Sequence, residues 1–157
     1  MTKKTLKERV LRISLVVVLT ALVIVLSLQI ADALCVQPPE EGNWVNTDPN
    51  TRGITRIQLR FVCQDQILNG EPYPPGPPWY VHLYGKCHPT DCDWGEVGAH
   101  RIGTDQIYAF YNQGFAKRYV YAKMSQYRPG QLWVWIWTDF TDPNRPDYGM
   151  HNWFSRQ

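Results

Sequence analysis

The sequence predicts an all-β fold, a small antiparallel up-and-down barrel of about eight strands, preceded by an N-terminal hydrophobic helix. Three observations predict it. All 21 aromatic residues lie beyond residue 33, a density that suits pleated strands, on which aromatic and β-branched side chains pack well. Side chains segregate with period two in one segment after another, the mark of half-buried strands. Clusters of Gly, Pro, Asn and Asp separate these segments by short intervals and end each strand.

Lys3, Lys4, Lys7, Arg9 and Arg12 form a basic head, followed by an apolar run from Ile13 to Leu28 and by Ala31-Asp32-Ala33. This has the form of a secretory signal cleaved after Ala33. Uncleaved, the run with its flanks approaches the roughly 18 to 20 residues that span a bilayer and is an anchor. Both readings keep the head in the cytoplasm and place the chain after residue 34 outside it, extracellular or periplasmic. The organisation is therefore a signal peptide or membrane anchor over 1–33, a proline-rich acidic linker over 34–41, and the barrel domain over 42–157. The net charge of +2 belongs to the head, since 11 basic and 12 acidic residues remain beyond residue 33. That balance leaves no electrostatic footprint for nucleic acid, and a membrane is met only through the N-terminal segment.

The first strand is Gly42 to Asn46, whose Trp44 is placed to plug one end of a barrel. Thr47 to Gly53 is dense in turn formers. In the second strand, Ile54 to Cys63, the residues Ile57, Leu59, Phe61 and Cys63 alternate with Arg56, Gln58 and Arg60. Asn69 to Pro78 holds five prolines and two glycines and is expected to pair with nothing. Trp79 to Gly85 alternates again and runs into Gly85-Lys86-Cys87-His88-Pro89-Thr90-Asp91-Cys92-Asp93-Trp94-Gly95, a compact knot. Val97 to Ile102, Asp105 to Asn112, Phe115 to Ser125, Gln131 to Asp139 and Tyr148 to Ser155 complete the strands.

The stretches Gly42 to Asn46, Asp48 to Arg56 and the knot together resemble an uncharacterised family of exported bacterial domains with the pattern GKC-x-PTDCDWG. The resemblance covers most of residues 42–154 and implies a small all-β domain; it brings no activity. More distantly, the Gly42-Asn43-Trp44 opening is similar to that of the lipocalin and avidin group of small β-barrels.

The four cysteines, Cys35, Cys63, Cys87 and Cys92, lie beyond the apolar run in an oxidising compartment, where disulfides are the default. Of three possible pairings, Cys87 with Cys92 and Cys35 with Cys63 is the one expected. Zinc held by Cys87, His88 and Cys92 competes with it, although no second ligand pair follows. Asp91 and Asp93 are expected to cap backbone N–H groups in the knot. His82, His88, His100 and His151 have no metal-like spacing, and no nucleophile elbow or phosphate loop is present. Neither metal nor cofactor is expected.

In Leu132 to Phe140 strand geometry sends Trp133, Trp135, Trp137 and Asp139 to one face, the tryptophans about 6.6 Å apart along the chain. If Pro129-Gly130 is the tip of a hairpin, Gln126, Met124 and Ala122 lie opposite the three tryptophans, and these small or flexible partners point the indoles inward. Inward indoles are a packed core, or an aromatic cup in which Asp139 orients a ligand and Trp94 assists. Outward indoles are a flat stacking strip or an interface belt.

These features describe a non-enzymatic, exported module that binds a small ligand, a glycan or a protein through aromatic side chains. The alternative is an interaction or inhibitor domain of the cell envelope that uses the Pro-rich loop and the knot. A hydrolase working through Asp91, Asp93 or Asp139 is the weakest of the three.

Overall fold

The computed structural model describes residues 35–157, so the expected N-terminal helix and the targeting segment over 1–33 lie outside the described residues. The strands are β1 (Gly42–Asn46), β2 (Ile54–Phe61), β3 (Gln66–Leu68), β4 (Glu71–Tyr73), β5 (Trp79–Gly85), β6 (Cys92–Ile102), β7 (Gln106–Asn112), β8 (Ala116–Met124), β9 (Gln131–Phe140) and β10 (Tyr148–Arg156). Eight of them close a barrel in the order β1-β10-β9-β8-β7-β6-β5-β2. Each pairs antiparallel with its neighbours, β1 bonding to both β2 and β10. The expected all-β, eight-stranded, closed meander is therefore observed.

Alternation along the strands fills the interior. Ile57 and Leu59, Val81 and Leu83, Ile107 and Ala109, Val120 and Ala122, Leu132, Val134 and Ile136, and Phe154 all point inward and are buried. An eight-stranded barrel has just the width that side chains fill, so this is a packed core rather than a channel. Ala99, opposite Trp79 in the ladder, leaves room for that buried indole.

One end is sealed. Trp44 Nε1–H donates to the Glu40 carbonyl at 2.9 Å, and Arg156 lies 4.6 Å over the indole while its Nη1 donates to the Glu41 carbonyl. Glu40 is itself buried and accepts from Arg101 Nη1 at 3.1 Å. The stretch expected as a linker is thus packed onto the barrel from Pro38 to Glu41, where Glu41 N–H closes a turn on the Pro38 carbonyl. The opposite end carries the loops over 47–53, 86–91, 113–115 and 141–147. There Cys87 and Cys92 form a disulfide with their Cα atoms 5.4 Å apart. Cys35 and Cys63 are each disulfide-bonded, and no described cysteine is free. Sulfurs committed in this way are not zinc ligands, which removes the Cys87, His88, Cys92 metal reading.

Three expectations need correction. The knot is half strand, since β6 begins at Cys92 rather than Val97; a register shift opposite His82 and Tyr84 and a positive φ of 79° at Gly95 let Cys92 and Asp93 pair with β5. The proline-rich excursion does pair. Asn69 and Gly70 both take positive φ, 54° and 86°, the geometry of a tight hairpin turn. Pro72 sits opposite Ile67 in a two-stranded ribbon, where a missing N–H faces solvent at no cost.

The third correction concerns the tryptophans. Trp133, Trp135 and Trp137 face outward, and Leu132, Val134 and Ile136 fill the core. Lys123, not Gln126, stands opposite Trp133. The connection is a longer loop: Ser125 N–H donates to the Gln131 carbonyl, and Ser125 Oγ accepts from the N–H groups of Tyr127 and Arg128. Pro129-Gly130 is therefore not a two-residue tip. Lys123 stands three positions from Gln126, an odd slip, which exchanges the two faces of the strand.

Candidate functional site

The outward tryptophans join rings from neighbouring strands in registered rows. One row runs from His100 on β6 through Tyr108, Tyr121 and Trp135 to His151 on β10, each opposite the next. Ring centroids along it lie 5.5 Å apart for His100 and Tyr108, 5.3 Å for Tyr108 and Tyr121, and 5.2 Å for Tyr121 and Trp135. A second row holds Phe110, Tyr119 and Trp137, with Phe110 and Tyr119 at 5.4 Å. Trp135 and Trp137 tie the rows together at 6.5 Å. The result is one continuous aromatic wall across β7, β8 and β9.

Gly149 is what lets the indoles lie down on β10. A Cβ there would come within 3.2 Å of Trp135 Nε1 and 3.3 Å of Trp137. With hydrogen in that place, both rings cover the β10 backbone and present their other faces to water. Trp137 is 37% exposed and Phe110 39%.

A third row places Trp133 between Lys123 and Trp153. Below it opens a groove of about 320 Å³ lined by Lys123, Ser125, Gln126, Tyr127, Trp133 and Trp153. Lys123 Nζ is 5.9 Å from the Trp133 ring, and the Arg128 guanidinium caps Trp153 at 4.5 Å. Flat rings and hydrogen-bonding groups thus alternate along the lower edge of the wall. Asp139 shares this outer face, opposite Lys117, and so cannot orient a ligand inside the barrel.

Trp94 is elsewhere, half-buried beneath the knot and edge-on to Tyr111 at 6.3 Å. Gly85 permits this, because a Cβ at that position would lie 2.7 Å from Trp94 Nε1. Burial pushes the Tyr111 hydroxyl far above the ordinary phenol value, and it donates to the Val81 carbonyl at 2.7 Å. Asp93 does cap a backbone group: its Oδ1 accepts from Gly95 N–H at 2.7 Å and faces His82 Nε2 at 2.5 Å. The Gly95 bond first, and His82 second, hold its carboxyl below the ordinary value. Asp91 works differently from expectation, accepting from the Thr55 hydroxyl at 2.6 Å and standing 4.0 Å from Lys86 Nζ. His88 is exposed in the loop over 86–91.

The residues singled out in the sequence therefore divide between two places. Trp133, Trp135, Trp137 and Asp139 belong to the outer wall; Trp94, His88, Asp91, Asp93 and the Cys87–Cys92 bridge belong to the knot end. The wall's other members, Tyr108, Phe110, Tyr119, Tyr121 and Trp153, become visible only once strand register is known. The alternation of Lys117, Tyr119, Tyr121 and Lys123 with Ala116, Val120 and Ala122 was the available signal. Compared with known proteins, the chain matches no family model, no curated protein and no solved structure.

Proposed function

We propose that the chain is an exported, non-enzymatic binding module that holds a carbohydrate chain against the outer wall of its barrel. One observation carries this reading: the apolar surface across β7, β8 and β9 is entirely aromatic, ring against ring in strand register. Among the described residues the exposed large aliphatic side chains are Val36, Val45, Ile67 and Leu68, none of them on these three strands. A pyranose ring offers a face of C–H groups with slight positive charge, which suits the negative face of an indole or phenol ring. Its rim of hydroxyls needs donors and acceptors close by, and Lys123, Ser125, Gln126 and His151 stand beside the rings. A protein partner would instead favour a dry apolar centre.

Quenching of tryptophan emission by soluble oligosaccharides tests the reading, together with retention on insoluble polysaccharides. Binding is expected for the intact protein and reduced for Trp135→Ala and Trp137→Ala. Full binding by a Trp135→Ala, Trp137→Ala double variant that remains folded would end it.

A second reading has its own support. The β3–β4 ribbon stands off the barrel with Ile67 68% and Leu68 56% exposed, and its unpaired edges invite a strand from another protein. Substituting Ile67 and Leu68 by serine would abolish a protein contact made there and leave sugar binding unchanged.

A further inference from the structure

The knot end holds a second cleft, separate from the aromatic wall. It measures about 420 Å³ and is walled by Trp94, Phe115 and Tyr148, with Arg52, Lys86 and Arg118 supplying charge. That volume falls within the roughly 300–1,000 Å³ of small-molecule sites.

Arg118 is the unusual member. It points inward from β8, between Ala116 and Val120, and is 8% exposed. A buried guanidinium is ordinarily matched by a carboxylate, because taking an ion out of water costs several kcal/mol, roughly. Among the described residues Arg118 takes part in no ion pair. Its Nε donates to Gln113 Oε1 at 2.8 Å and its Nη1 to Thr138 Oγ1 at 3.2 Å, both neutral acceptors. Its Cζ lies 4.2 Å over the Trp94 ring, which offsets part of the charge. Among the described residues Nη2 has no acceptor, and it is not sealed from the cleft.

The remaining charges do not neutralise it. Among the described residues Asp93 is the one acid lining the cleft, and its Oδ1 is engaged by Gly95 N–H and His82. Lys86 leans toward Asp91, while Arg52 is in no ion pair among the described residues.

We infer that this cleft is a binding site for a small organic carboxylate, its anionic oxygens on Arg118 Nη2 and its apolar body between Trp94, Phe115 and Tyr148. A monoanion matches one buried cation with a single free donor edge. A phosphate would need more converging donors and would leave the aromatic walls without a partner.

The test is titration of the full chain with benzoate, benzamide and inorganic phosphate, followed by the ¹H–¹⁵N signals of Arg118 Nε–H and Trp94 Nε1–H. Benzoate is expected to move both signals saturably, with benzamide and phosphate binding more weakly by roughly ten- to hundred-fold, the worth of a charge-assisted hydrogen bond. Arg118→Gln should abolish the benzoate response while Trp135→Ala leaves it intact, which separates this site from the sugar-binding wall. If Arg118→Gln does not fold, the Arg52→Gln, Lys86→Gln pair should weaken benzoate several-fold through lost attraction at the rim. Equal responses to benzoate and benzamide, a stronger response to phosphate, or an undiminished response in Arg118→Gln would overturn the inference.

Discussion

The orientation of β9 is open to a direct thermodynamic test, because adjacent residues on that strand face opposite environments. Ile136 is 1% exposed and packed in the core; Trp137 is 37% exposed on the outer wall. Truncating Ile136 to alanine removes three buried carbons and leaves a void in the core beside Val120, at a cost of about 2–5 kcal/mol. Truncating Trp137 removes a far larger side chain yet opens no cavity. Its loss is the stacking against Trp135, worth roughly 0.5–1.5 kcal/mol for an aromatic pair beyond the area buried, and about 1–2 kcal/mol for the partly covered apolar area returned to water. The domain's unfolding entropy makes each kcal/mol worth roughly 4 °C in Tm, so Ile136→Ala should melt about 8–20 °C lower and Trp137→Ala about 6–14 °C lower. Urea unfolding followed by circular dichroism at fixed pH supplies the free energies without relying on tryptophan emission. A loss of about 5 kcal/mol for Trp137→Ala with almost none for Ile136→Ala would place the indoles inside and refute the outward register, along with the binding wall built on it.

Other predictions follow from close contacts and charges. Gly85→Ala drives a Cβ to 2.7 Å from the rigid Trp94 indole and should cost roughly 1–3 kcal/mol by overpacking, read as a lower urea midpoint. Replacing Cys87 and Cys92 by serine removes a short loop closure worth about 2 kcal/mol; calorimetry should register that loss with the barrel's circular dichroism retained. Asp93 is held below its ordinary value of 3.8 by Gly95 N–H and then His82. Its folded-state value is the lower one, so the stabilisation is present above pH 3.8 and is lost as pH falls through the depressed folded value. Carboxyl NMR should find the Asp93 midpoint below 3.8, and His82→Ala should move it only part of the way back, because the Gly95 bond remains.

Much of the barrel was legible because the interior needs one apolar face per strand, and alternation reports that need directly. Ile57 and Leu59 against Gln58 and Arg60 leave no doubt which side is wet. On β9 the same rule fails, since both faces of Leu132 to Trp137 are apolar and period two has no preferred direction there. The choice then fell to the turn, and the six-residue Ser125 to Gly130 loop, pinned by the Ser125 hydroxyl, carries a different register from a Pro-Gly tip. Volume was the better guide. Ala122 and Val120, which pair with Val134 and Ile136, are small because the barrel interior is narrow, and three more indoles do not fit beside Trp44 and Trp79. Arg118 stayed hidden for the opposite reason: an arginine between Ala116 and Val120 breaks the alternation, and only burial reveals that it truly faces inward.

The same geometry explains why the two candidate surfaces do not compete. The wall is built from residues that the narrow interior excludes, so its rings contribute stacking to the sheet and keep one face free for a ligand. The cleft arises where packing stops, at the end whose loops leave a gap lined by Arg118, Trp94 and Tyr148, while Trp44 and Glu40 close the other end. Substitutions on the wall should therefore change sugar binding without altering the Arg118 signals, and substitutions in the cleft should do the reverse. Arg118→Met carries the argument furthest. Exchanging a buried, unpaired guanidinium for an apolar chain of similar reach removes a desolvation cost of roughly several kcal/mol, which offsets the bonds that the Thr138 hydroxyl and Gln113 amide lose to a charged donor, about 1.5–3 kcal/mol each. In carboxylate-free buffer Arg118→Met should unfold at a urea concentration close to that of the native chain, whereas with saturating benzoate the native chain should become clearly the more stable. A variant that is much less stable in both buffers would show that Arg118 holds the fold together and is no anion receptor.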